Sequence, residues 1–164
     1  LAPRKKPIGT RYRGIQGPNR THAMSKENLY KAVLLDHFHH PRNKGSLDGA
    51  DAVRRGSNPR CGDEVEVGVY EKDGQLDQVR FRGRGCSVCI ASASMMSQAV
   101  SGKATEEARR LGESVQGWFG QGEGDRARNA PEGLEALSAV RDYPARRRCV
   151  LLSWEALSEA IDAL

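Results

Sequence analysis

Hydrophobic positions change period along the chain. Behind a capping Ser25, Leu29, Tyr30, Val33, Leu34 and Phe38 recur at three- and four-residue spacing, which predicts a helix ending near His40, before Pro41. Val65, Val67 and Val69 then alternate with Glu64, Glu66 and Tyr70, Asp73-Gly74 supplies a turn, and Leu76, Val79 and Phe81 sit on the return. That pattern predicts an antiparallel hairpin with one buried face. A preceding strand around 52–55 would complete three strands, about the minimum for a stable sheet packed on helices. Beyond Gly85 the helical spacing returns through 91–100 and 105–119, with Glu106 and Glu107 in the first turn of the second segment, where the helix dipole favours acids. The polar, glycine-rich stretch 120–133 reads as a surface loop or insertion. A short helical segment near 134–140 follows, Pro144 interrupts, and a last helix runs from about Arg148 with Val150, Leu151, Trp154, Leu157 and Ile161 on one face. Helix, strands, then helices predicts an α+β fold, a small antiparallel three-stranded sheet packed against several helices.

Composition sets the scale. With 38% apolar residues among 164, the chain can bury one modest core, so residues 24–164 are read as a single domain. The formal net charge of +5 suggests nucleic acid until its position is considered. Six of the 26 basic residues (Arg4, Lys5, Lys6, Arg11, Arg13, Arg20) lie in residues 1–23, which hold no Asp or Glu, leaving 20 basic against 21 acidic residues and a net of −1. A neutral body offers no electrostatic footprint for nucleic acid. Residues 1–23 form a basic tail rich in Gly, Pro and Arg, expected to be disordered. Met24-Ser25-Lys26-Glu27 reads as a natural start, so the tail is taken as an expression scar or processing remnant, with a transit peptide the lesser alternative. No apolar run approaches the roughly 18 residues that span a bilayer. The expectation is a soluble, cytoplasmic protein with no membrane or nucleic-acid partner. His37, His39 and His40 cluster at the end of the first helix, where adjacent and alternate positions point to different sides, so they are read as a solvated helix end.

The chemistry rests on four cysteines. Cys61 and Asp63 stand in Asn-Pro-Arg-Cys-Gly-Asp, where Pro59 and Gly62 make a tight turn able to present a thiolate beside a carboxylate. Cys86 opens a helix, whose N-terminus favours an ionised thiol, and Cys149 follows Arg146, Arg147 and Arg148, whose charge is expected to lower its pKa. The hairpin should bring Cys61 and Cys86 together, and Cys149 could close the site. Thiolates on rigid turns with one carboxylate suit zinc or an iron–sulfur cluster. Two disulfides are disfavoured without a secretory signal. Cys89, between Val88 and Ile90, is read as a buried structural residue, and a bare Cys86-x-x-Cys89 is a weak redox signal.

The stretches NPRCGD at 58–63, GRGCSVCIASASMMSQAVSGK at 83–103 and YPARRRCVLLSW at 143–154 resemble the three cysteine motifs of the U-type iron–sulfur assembly proteins (IscU/NifU N-terminal family), and LYKAVLLDHFHHPRNKG at 29–45 resembles that family's first helix and following loop. The resemblance implies an α+β fold of the SufE/IscU kind and a metal site formed by Cys61, Asp63, Cys86 and Cys149, whereas Cys89 falls where relatives commonly carry a small residue. Arg148 stands where the Isc-type scaffolds have a histidine, and the separation of 63 between Cys86 and Cys149 is longer than theirs. Both features resemble the SufU branch. That likeness implies a zinc-dependent sulfur carrier that accepts persulfide sulfur from a cysteine desulfurase and passes it to downstream scaffold proteins. Cys149 is the expected acceptor, as an exposed, mobile thiol with an arginine-rich flank, and Asp63 the most easily replaced ligand. Other readings are a scaffold for a [2Fe–2S] cluster, with iron or the cluster in place of zinc, a non-catalytic zinc-stabilised domain, and nucleic-acid binding by the tail.

Overall fold

Strand alternation builds the framework. The computed structural model describes residues 25–164 apart from 121 and 127, so the expected tail at 1–23 lies outside the described residues. Strands β1 (Ala52–Asn58), β2 (Asp63–Lys72) and β3 (Gln75–Arg84) form one antiparallel sheet in the order β1-β2-β3. Val65, Val67, Val69, Leu76, Val79 and Phe81 are wholly buried, and register pairs Val67 with Phe81 and Val69 with Val79. The period-two pattern therefore lines one face of the sheet with apolar side chains. These strands come within an α+β architecture that also contains α1 (Lys26–His39), α2 (Ser87–Val100), α3 (Thr105–Trp118), α4 (Glu123–Arg126), a 3₁₀ turn (Glu135–Leu137), α5 (Ser138–Arg141) and α6 (Pro144–Asp162). Helices α2 and α6 pack on the sheet and on each other, α1 covers α2, and α3 packs on α6.

One helix start agrees with expectation and one differs. Helix α2 begins at Ser87, directly after Cys86, whose side chain caps it, so Cys86 opens the helix as its sequence setting suggested, four residues ahead of the apolar spacing that begins at 91. Helix α6 begins at Pro144 rather than Arg148. Proline is tolerated in the first turn because its missing N–H would have had no intrahelical partner there, so Pro144 starts the helix instead of interrupting it.

Polar groups inside the helical layer organise it. Ser92, Ser94 and Ser97 of α2 are fully buried. The Ser92 hydroxyl donates to Val150 O at 2.8 Å and accepts from Trp154 Nε1 at 3.2 Å, which ties α6 to α2. Ser94 Oγ accepts the Arg42 amide at 2.8 Å and lies 2.7 Å from His37 Nδ1. His37 is thus buried, not part of a solvated helix end; burial, and the Arg42 charge after it, hold its pKa below the ordinary value. His39 and His40 are exposed, as the sequence suggested.

One close approach fixes where α6 lies. A Cβ at Gly56 on β1 would stand 2.9 Å from the Leu152 carbonyl oxygen of α6. Only glycine admits the helix backbone this near the strand, and Cys149, one turn earlier, is carried toward the β1–β2 turn.

Candidate metal centre

Three separate chain segments meet at the open end of the hairpin. The turn joining β1 to β2 closes through Gly62 N and Cys61 N donating to Asn58 O at 2.9 and 3.3 Å, which presents Cys61 outward and sets Asp63 at the first position of β2. Register places Glu64 opposite Arg84 at the far end of β3, so Cys86, two residues beyond the strand, returns beside Asp63. Helix α6 contributes Cys149 from its second turn.

Asp63 is the hub. One carboxylate oxygen accepts the Cys86 amide at 2.8 Å, and the other faces Cys86 Sγ at 3.5 Å. The sulfurs of Cys61 and Cys149 and a carboxylate oxygen of Asp63 all lie within 4.8 Å of one another. Burial pushes the Asp63 carboxyl up, but the Cys86 amide and the thiols of Cys61, Cys149 and Cys86 outweigh it and hold the group below its usual value. Gly85 makes this possible: a Cβ there would stand 2.9 Å from Asp63 Oδ1 and 3.2 Å from the Cys89 Cβ.

The cysteines differ in exposure. Cys61 is exposed, Cys86 half-buried, and Cys89 and Cys149 buried. The expected exposed, mobile Cys149 is not found: only 2% of it reaches solvent, because the helix begins five residues earlier and seats it against the site, with Sγ 3.7 Å from Ala145 O. Its pKa is raised rather than lowered, first by burial and then by its contacts with Asp63 and Cys86. Two of the three neighbouring arginines are engaged elsewhere. Arg148 grips both oxygens of Glu155 at 2.7 and 2.8 Å, and Arg147 Nε donates to Arg141 O at 2.9 Å. Cys89 is fully buried behind the site, where burial first and then the Asp63 charge push its thiol up to about 12. Cys61 and Cys149 border a cleft of about 530 Å³ with Pro59, Arg60, Pro144 and Arg146 on its walls.

The donor set fits zinc. Sulfurs about 2.3 Å from a tetrahedral ion stand roughly 3.8 Å apart, compatible with side-chain donors within 4.8 Å of one another. Three soft thiols and one carboxylate are also donors that iron–sulfur chemistry uses. The structure brings together all four residues expected from sequence, with Cys86 beside the three-residue group and contacting it through Asp63. Sequence reading missed Gly85 and the buried Ser92, Ser94, Ser97 and His37; the small residues in Cys-Ser-Val-Cys-Ile-Ala-Ser-Ala-Ser were the available signal of a close-packed central helix.

Fold and site together define a small α+β protein with a thiol-rich metal-type centre. The chain belongs to the family described as NifU-like N terminal domain, which matches residues 29–150. It is 40% identical to the iron–sulfur cluster assembly scaffold protein IscU of Streptococcus pyogenes serotype M1, over 85% of this chain and 87% of that one. It is 38% identical to the zinc-dependent sulfurtransferase SufU of Bacillus subtilis (strain 168), over 82% of this chain and 90% of that one. Its fold is similar to the crystal structure of a nitrogen-fixing NifU-like protein (N-terminal) from Brucella abortus, with TM-score 0.73 and 25% identity over 82% of this chain and 92% of that one. Among the described residues, no helix is long and apolar enough to cross a membrane.

Proposed function

We propose that this protein serves iron–sulfur cluster assembly as a zinc-dependent sulfur acceptor, taking persulfide sulfur from a cysteine desulfurase and passing it to downstream scaffold proteins in the cytoplasm. The observation that carries the reading is the asymmetry of the thiols: Cys61 stands exposed at a cleft mouth while Cys149 is buried beside the same carboxylate. Exposure makes Cys61, in place of the Cys149 expected from sequence, the point of entry. Its thiolate attacks the outer sulfur of the donor persulfide; the donor's S–S bond breaks, its electron pair returns to the donor cysteine as thiolate, and a persulfide remains on Cys61.

Zinc, held by Cys61, Asp63, Cys86 and Cys149, would keep the thiols ionised and in place. The chain's own groups do the rest. Asp63 orients the Cys86 amide and thiol, and the packing of α6 against β1 keeps Cys149 at the centre. Free thiols at all four cysteines suit a reducing compartment.

The test is desulfurase activation with mass spectrometry of the product. Wild type should gain sulfane sulfur on Cys61 and raise desulfurase turnover, and Cys61→Ala should do neither; sulfur found on Cys149 alone would refute the assignment. A second reading, a scaffold that builds and transfers a [2Fe–2S] cluster, is supported by the kinship with the Streptococcus protein. Anaerobic reconstitution giving a stable, transferable cluster would favour it.

A further inference from the structure

Cys89 is a thiol for which neither the metal centre nor sulfur entry has a use. It lies three residues after Cys86, and its backbone N–H donates to Cys86 Sγ at 3.4 Å, closing the first turn of α2 on that sulfur. Cys86 is the N-cap, with extended backbone outside the helix, so its sulfur already lies over the first turn of α2, the turn on which Cys89 stands. Cys89 has no exposed surface, so its reaction partners are limited to its neighbours. Those neighbours are Cys86 and, across the space that Gly85 leaves open, the Asp63 carboxylate. The same carboxylate touches the Cys61 and Cys86 thiols.

We propose that Cys89 is a resolving cysteine, which converts sulfane sulfur held on Cys86 into free sulfide by forming a Cys86–Cys89 disulfide. The proposal rests on the sulfur-acceptor reading above. Sulfur first passes from Cys61 to Cys86: the Cys86 thiolate attacks the outer sulfur of the Cys61 persulfide, and Cys61 leaves as thiolate. The Cys89 sulfur then attacks the inner sulfur of the Cys86 persulfide. The S–S bond breaks with its electron pair on the outer sulfur, the Cys89 proton goes with it, and hydrogen sulfide departs. The sulfane sulfur is reduced by two electrons, and the two cysteine thiols supply them by becoming a disulfide. One turnover therefore consumes no outside reductant; a further turnover requires a dithiol to reduce the pair. Cluster building needs sulfur at the sulfide level, and this pair places the electrons for that reduction one helical turn from the sulfur.

The experiment uses the full chain, reduced and then freed of reductant, under argon, with a cysteine desulfurase and L-cysteine as the sulfur source. Sulfide is assayed colorimetrically, and persulfides and disulfides are mapped by alkylation and peptide mass spectrometry. Wild type is expected to release a single equivalent of sulfide and stop with Cys86 joined to Cys89. Cys89→Ala and Cys89→Ser, each checked for native circular dichroism, are expected to hold persulfide and release only background sulfide. If wild type keeps its persulfide with Cys86 and Cys89 both free, the inference is overturned while sulfur acceptance stands. If neither persulfide nor sulfide forms, both fail.

Discussion

The carboxylate of Asp63 and the N-terminal cap of α2 at Cys86 form one unit, with the Cys86 amide on one oxygen at 2.8 Å and its thiol 3.5 Å from the other. The strand that starts at Asp63 is thereby tied to the helix that starts after Cys86, and a ligand-type group is held in place by backbone as well as by side chains. Asp63→Asn keeps the shape and removes the charge. Because the folded pKa lies below the ordinary 3.8, the charge stabilises the protein above that pH, and the contribution is lost as pH falls through the folded value. In metal-free protein, the stability gap between wild type and Asp63→Asn should be constant near neutrality and close in acid, as read by urea denaturation across pH. Zinc affinity of the variant should fall by at least the roughly 10–100-fold that follows loss of a supporting partner.

Thiol reactivity should follow exposure and ionisation. Alkylation at neutral pH modifies the thiolate, so in metal-free protein Cys61 should label first, while Cys149 and Cys89, buried and pushed up, should label last. Time-resolved peptide mass spectrometry gives the order.

Gly56→Ala should separate the two halves of the site. Its Cβ would meet the Leu152 carbonyl at 2.9 Å, a backbone atom that can move only with α6. A cost of about 1–3 kcal/mol is expected from such overpacking, together with weaker zinc binding as Cys149 withdraws, measured by denaturation and chelator competition.

Ser94→Ala tests the buried polar layer. It removes the acceptor of the Arg42 amide and the partner of His37 Nδ1, both off the surface of α2. Leaving such groups unsatisfied should cost about 1–3 kcal/mol, read as a lower urea midpoint with the zinc content unchanged.

Much of this was legible because periodicity and punctuation agree. The valines of β2 alternate without exception, and the Asp73-Gly74 turn fixes their pairing, so the sheet and the return of Cys86 to Asp63 follow from local pattern. Helix starts were less legible. Pro144 is compatible with a break or with a first helical turn, and tertiary packing decides for the latter, which moves Cys149 from a helix terminus to a buried second turn. Charge near a thiol in sequence proved a poor guide to charge near it in space, since Arg148 turns to Glu155 and Arg147 to a backbone carbonyl. His37 was misread because adjacent histidines look alike in sequence, while burial depends on what the loop at Arg42 brings against the helix. Close approaches such as those at Gly56 and Gly85 have no sequence signature beyond the glycine itself.

X-ray absorption at the zinc edge, on protein purified without added iron, tests the account most directly. Three sulfur scatterers at about 2.3 Å and one oxygen at about 2.0–2.2 Å are predicted, with one sulfur lost in Cys149→Ala. A shell of nitrogen and oxygen alone, or a Cys149→Ala spectrum identical to wild type, would contradict it.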